Sequence, residues 1–64
     1  MDFTKLMITT GMTMKELKSI PAVALTNIIK AVEDSMENNW FPARVRAEKE
    51  YQIKCYKELI LTAR

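Results

Sequence analysis

Histidine is absent from the 64 residues, cysteine and glycine occur once each, and proline occurs twice. Without an imidazole the commonest general acid and base is missing. Gly11 alone cannot build a glycine-rich phosphate loop, and Cys55 alone can make neither an internal disulfide nor a zinc-holding thiolate cluster. These absences weigh against an enzyme, so no catalytic residue, metal ligand or cofactor is expected. No long apolar run is present near the start either. The uncharged stretch at residues 6–14 is interrupted by Thr9, Thr10, Gly11 and Thr13, too short and too polar to span a bilayer. Asp2 and Lys5 do not suit the basic start and apolar centre of a secretory leader. A lone cysteine fits a reducing compartment. The expectation is a cytoplasmic chain with no membrane partner, a setting compatible with association with the nucleoid.

What the chain does have is 48% hydrophobic and 28% charged residues, an ordinary globular balance. Its 7.4 kDa is small, however. Below roughly 70 to 80 residues a single core rarely supplies enough stability, which favours a partner subunit. The net charge of +2 is unevenly spread. Residues 1–39 carry four lysines against five acids, a net of −1, and residues 40–64 carry six basic residues against three acids, a net of +3.

Periodicity places the helices. Phe3, Leu6 and Met7 share a helical face in a first segment of two or three turns, too short to stand alone in water. Gly11 ends it. Thr13 followed by Glu16 is a capping-box pattern, and Met12 with Leu17 can form the hydrophobic staple, so a short helix is expected over residues 13–19. Pro21 forces a restart, expected at Ser19 or Ile20. Beyond it Leu25, Ile28, Ile29, Val32 and Met36 follow the spacing of one apolar stripe, opposite a polar face of Thr26, Asn27, Lys30, Glu33, Asp34 and Glu37. Asn38, Asn39 and Pro42 then call for a break or kink.

The last segment lacks Gly and Pro. Its first half is mostly charged, while Ile53, Tyr56, Ile60 and Ala63 form a seam widened by Leu59, about two heptads long. Trp40 and Phe41 at the break are expected to cap the ends of neighbouring helices; the competing reading is an exposed binding hot spot. Arg44, Arg46 and Lys49 read as a solvated face, with Arg44 pairing Glu48 and Arg46 pairing Glu50, against the alternative of contact with phosphates or an acidic protein. Cys55 reads as a small apolar filler.

The run Met12-Thr13-Met14-Lys15-Glu16-Leu17-Lys18-Ser19-Ile20, and the run Tyr56-Lys57-Glu58-Leu59-Ile60, resemble the oligomerisation region of the bacterial histone-like nucleoid-structuring (H-NS) family. The first is similar to the approach to that family's dimerisation helix, the second to the end of its first coiled region. Pro21 and Trp40-Phe41-Pro42 interrupt where the family keeps one continuous helix, and its DNA-binding domain has no counterpart here. The resemblance implies an excised module or a natural short form that binds protein and not DNA.

The expected fold is therefore all-α, one module over residues 1–64, with short N-terminal helices followed by two longer amphipathic helices as a helical dimer or short coiled coil. Leu17, the Leu25–Met36 stripe, and Ile53, Tyr56, Leu59 and Ile60 are the expected interface, treated as two separable surfaces. Trp40, Phe41, Arg44 and Arg46 are candidate exposed contacts. The expected partners are a second copy and a related nucleoid or host regulatory protein. Two functions compete: the oligomerisation module of a nucleoid-associated silencer, gaining avidity by linking subunits, and a small phage or mobile-element adaptor or inhibitor that docks on a host protein. Because so few unpaired cations are available to displace counterions, the chain alone is expected not to bind duplex DNA specifically. A gel-shift titration at physiological salt checks this: submicromolar binding with preference for one sequence over random competitor would refute it.

Overall fold

The computed structural model describes residues 2–62, and 82% of the structure is helical. Four helices follow in order, α1 at Thr4–Thr10, α2 at Met14–Ser19, α3 at Ala22–Asn38 and α4 at Ala43–Thr62, with no strand among the described residues. The all-α expectation holds. None of these helices is long and apolar enough to cross a membrane.

Each junction has a local cause. The Asp2 carboxylate accepts from the Thr4 backbone N–H at 2.9 Å, meeting an amide that a helix start leaves unpaired. Gly11 stops α1 in the left-handed conformation, φ 71°, while its N–H donates to the Met7 carbonyl at 2.8 Å. Nothing crowds the position where a Cβ would sit, so the requirement for glycine there is conformational and not steric. The capping box forms in full: Glu16 N–H donates to Thr13 Oγ1 at 3.2 Å, and Thr13 N–H donates to Glu16 Oε1 at 3.1 Å.

The restart after α2 comes later than the Ser19 or Ile20 expected from sequence. Ile20 is extended, with ψ 125°, and Pro21 is the N-cap of α3. Proline holds the residue before it out of the helical region, which excludes Ile20, and Pro21 itself has ψ 147°, so the first helical residue is Ala22. Pro42 acts in the same way, and with Asn39 extended at ψ 149° the chain breaks between α3 and α4 where a kink was the alternative.

α3 and α4 are the most extensively packed pair of helices. The core unites all four helices: Leu6 from α1, Leu17 from α2, Leu25 and Ile29 from α3, and Ile53, Cys55, Tyr56 and Leu59 from α4. Ile28, Val32, Met36 and Ile60 are half-buried against it, as is Met12 beside the α2 cap. The stripe and the seam are thus two sides of one core, which corrects the expectation of two separable surfaces. The reason lies in α4, whose apolar residues are spread around its circumference. Ile53 and Tyr56 belong to one side, while Cys55 and Leu59, four residues apart, continue a second row, and both rows join Leu6 of α1 and Leu17 of α2 in the core. Ala63, the last member of the expected seam, lies outside the described residues.

One core implies one transition. Ile29→Ala should cost on the order of 2 to 5 kcal/mol, whereas Asn27→Ala on the exposed face of α3 should cost little. Leu59→Glu should abolish helicity throughout the chain. Circular dichroism melts of the three variants check the assignment; retention of α3 helicity in the Leu59 variant would restore the two-surface arrangement.

Candidate interaction surface

The ten residues expected at a partner interface lie within or against the chain's own core. Leu17, Leu25, Ile29, Ile53, Tyr56 and Leu59 are buried, and Ile28, Val32, Met36 and Ile60 are half-buried. Folding already uses the apolar surface that sequence reading offered to a partner. The large apolar groups left outside are Trp40 at 84% exposure, Ile8 at 77%, Val23 at 70% and Leu61 at 66%.

Trp40 does not cap a helix end, contrary to expectation. The short link between α3 and α4 partly buries only one of the two neighbouring aromatics. Phe41 is the inner one. It is half-buried, and the Lys49 ammonium lies 4.8 Å from its ring centroid, a cation–π contact between the link and the second turn of α4. Trp40 is left projecting into solvent.

Arg44 and Arg46 are both exposed, but they do not share a patch. Arg44 lines an open groove of about 670 Å³ between α1 and the first half of α4, with Lys5, Ile8, Ala47, Glu48 and Tyr51. Arg46 lines a second groove, between α3 and α4, where Glu33 and Glu37 face Lys54 and Lys57. The helix therefore separates the cations that a phosphate-binding face would need together, and Lys49 is engaged over Phe41. The expected pairs Arg44 with Glu48 and Arg46 with Glu50 are not formed. Among the described residues the ion pair present joins Lys57 Nζ to Glu33 Oε2 at 4.0 Å, with both side chains more than half exposed, so it contributes little. An acid four residues after its cation is the weaker orientation for such a pair on a helix, because both charges then oppose the helix dipole.

The α1–α4 groove went unnoticed in the sequence. Its signal was the row Ala47, Tyr51, Cys55 and Leu59, spaced four apart along one face of α4. Burial rises along that row: Ala47 is exposed, Tyr51 half-buried, Cys55 0% and Leu59 1% accessible. The C-terminal half of the face is sealed within the common core, while the N-terminal half is flanked by α1 across an open groove. The Tyr51 hydroxyl donates to the Asp2 carbonyl, fixing the start of α1 across the groove.

Two phenols beside the core are shifted from their ordinary value. Burial raises the Tyr56 hydroxyl above the ordinary 10.0, with charge on Cys55 acting in the same direction. Tyr51 is raised as well, first by desolvation and then by the neighbouring Cys55 thiol. At the other end of the range, hydrogen bonds from the Thr4 hydroxyl and then the Thr4 N–H lower the exposed Asp2 carboxyl.

In comparison with known proteins, no family, curated protein or solved structure matches this chain.

The tyrosine shifts set a direction for alkaline stability. A phenol whose value is raised by folding favours the neutral form in the folded state. Its contribution is complete below the ordinary value of 10.0 and is lost as pH rises through the folded value. Thermal melts from about pH 8 to pH 11.5 should show stability falling at the alkaline end, and less steeply in Tyr56→Phe. Identical slopes for the two proteins would remove Tyr56 as a cause.

Proposed function

We propose that this chain is a small helical protein-binding module, an adaptor or inhibitor that folds around its own core and engages a partner protein through the corner carrying Trp40. The observation that carries the reading is the placement of Trp40, 84% exposed on the link between two helices whose own apolar faces are satisfied internally. An exposed indole contributes little to folding, while tryptophan is the residue type most enriched among interface anchors. The half-buried Phe41 beneath Lys49 supports a fixed platform for it. The absence of histidine and the separation of Arg44 from Arg46 speak for protein recognition over acid–base chemistry or phosphate binding.

A second reading is the oligomerisation module of a nucleoid-associated silencer, acting in the cytoplasm on a second copy or a related regulatory chain. What favours it is the open α1–α4 groove, because the Leu25 stripe and the Ile53 seam are occupied within the chain. Neither reading requires the chain to contact DNA.

A photo-crosslinking residue at position 40, compared with one at the equally solvent-facing position Lys30, tests the first reading in the native host. Position 40 should capture one protein stoichiometrically, and position 30 should not. Trp40→Ala should abolish co-purification of that protein with the melting temperature unchanged. Equal capture at both positions, or co-purification that survives Trp40→Ala, would discard the corner as the binding site.

A further inference from the structure

We infer that the α1–α4 groove is a self-complementary surface on which a second copy of this chain docks antiparallel, α4 against α4. The inference rests on the second reading above, which uses the same groove, and is independent of the Trp40 corner.

Three observations lead to it. The first is the graded row on α4, where the face that is sealed at Cys55 and Leu59 stays open at Ala47. An uncovered continuation of a core-forming face has the right register to accept another helix, and the single methyl of Ala47 permits close approach of the two axes. The second is Ile8, which lines the groove and is 77% exposed. In a symmetric pair it covers the partner's α4 while the partner's equivalent covers this one, as an isologous two-fold contact requires. The third is charge. Arg44 and Glu48 both line this groove one helical turn apart, with opposite signs and no ion pair between them. When two such helices run antiparallel about an axis level with position 46, one residue from Ala47, Arg44 of each copy lies opposite Glu48 of the other, so the face presents its own electrostatic complement twice.

The occupant is a second copy and not a generic acidic peptide, because Glu48 lines the same groove as Lys5 and Arg44 and would repel an acidic chain. The open half of α4 is short, roughly three turns, so the association should be weak, and the free and paired forms should coexist at accessible concentrations.

Sedimentation equilibrium of the full chain over about 10 µM to 1 mM tests the inference, with Arg44→Glu, Glu48→Arg and the double exchange alongside. The expected result is a concentration-dependent rise from 7.4 kDa towards twice that mass. Each single reversal should weaken association by roughly tenfold or more, and the double exchange should restore it, since the opposed pairs are then reinstated with reversed polarity. A monomer mass throughout would overturn the inference, as would a dimer insensitive to the single changes or not rescued by the double one. Ala47→Cys gives a readout that does not depend on altered charge. Mild oxidation should convert it to a covalent dimer through the position beside the axis, and no excess of dimer over the wild-type chain under the same oxidant would count against the geometry. Trp40→Ala should leave the self-association unchanged, which keeps this surface distinct from the corner proposed for a different partner.

Discussion

The fold depends on covering α4 from two sides. A 20-residue helix with Ile53 and Tyr56 on one side and Cys55 and Leu59 on another cannot be satisfied by α3 alone. The two short N-terminal helices complete the job, each inserting one fully buried leucine, Leu6 and Leu17. Neither helix is long enough to persist in water, so their helicity and the burial of α4 are one cooperative event. Everything between them serves that placement: the left-handed Gly11, the Thr13–Glu16 box and the extended Ile20–Pro21 step turn the chain through short links so that both leucines reach the same core.

Much of this was legible because the signals were local. The capping box needs only Thr13 and Glu16, the breaks need only Pro21 and Pro42, and the Leu25–Met36 stripe needs only the helical period. The restart at Ala22 lies beyond the expected Ser19 or Ile20 because proline restricts Ile20 and Pro21 is itself extended, with ψ 147°. The larger error concerned what covers what. A stripe and a seam read separately look like two surfaces, and only the third dimension brings Leu25 and Leu59 into one cluster. The N-terminal half of α4 was read as charged and therefore solvated, which hid the row that starts at Ala47. Trp40 went the other way: aromatic residues in small chains are usually buried, and nothing in the neighbouring sequence says which of Trp40 and Phe41 turns inward.

Charge is arranged by the same geometry. Arg44 and Arg46 are two positions apart in the chain, and on a helix that separation directs them to different grooves. Net charge along the sequence is therefore a poor guide to the local field. Among the described residues, the cations after residue 40 are divided between a groove shared with the acids of α3, a cation held over Phe41 and a groove where Arg44 is balanced by Glu48.

The exposure of the chain's sole tryptophan has an optical consequence. An indole surrounded by water when the protein is native is surrounded by water when it is unfolded, so its emission should hardly register the loss of the core. Sequestration of Trp40 by another molecule would shift that emission to the blue. The same fluorophore is thus nearly silent to denaturation and responsive to recognition, and the two processes, so often entangled in a single signal, are separated here by where one side chain points.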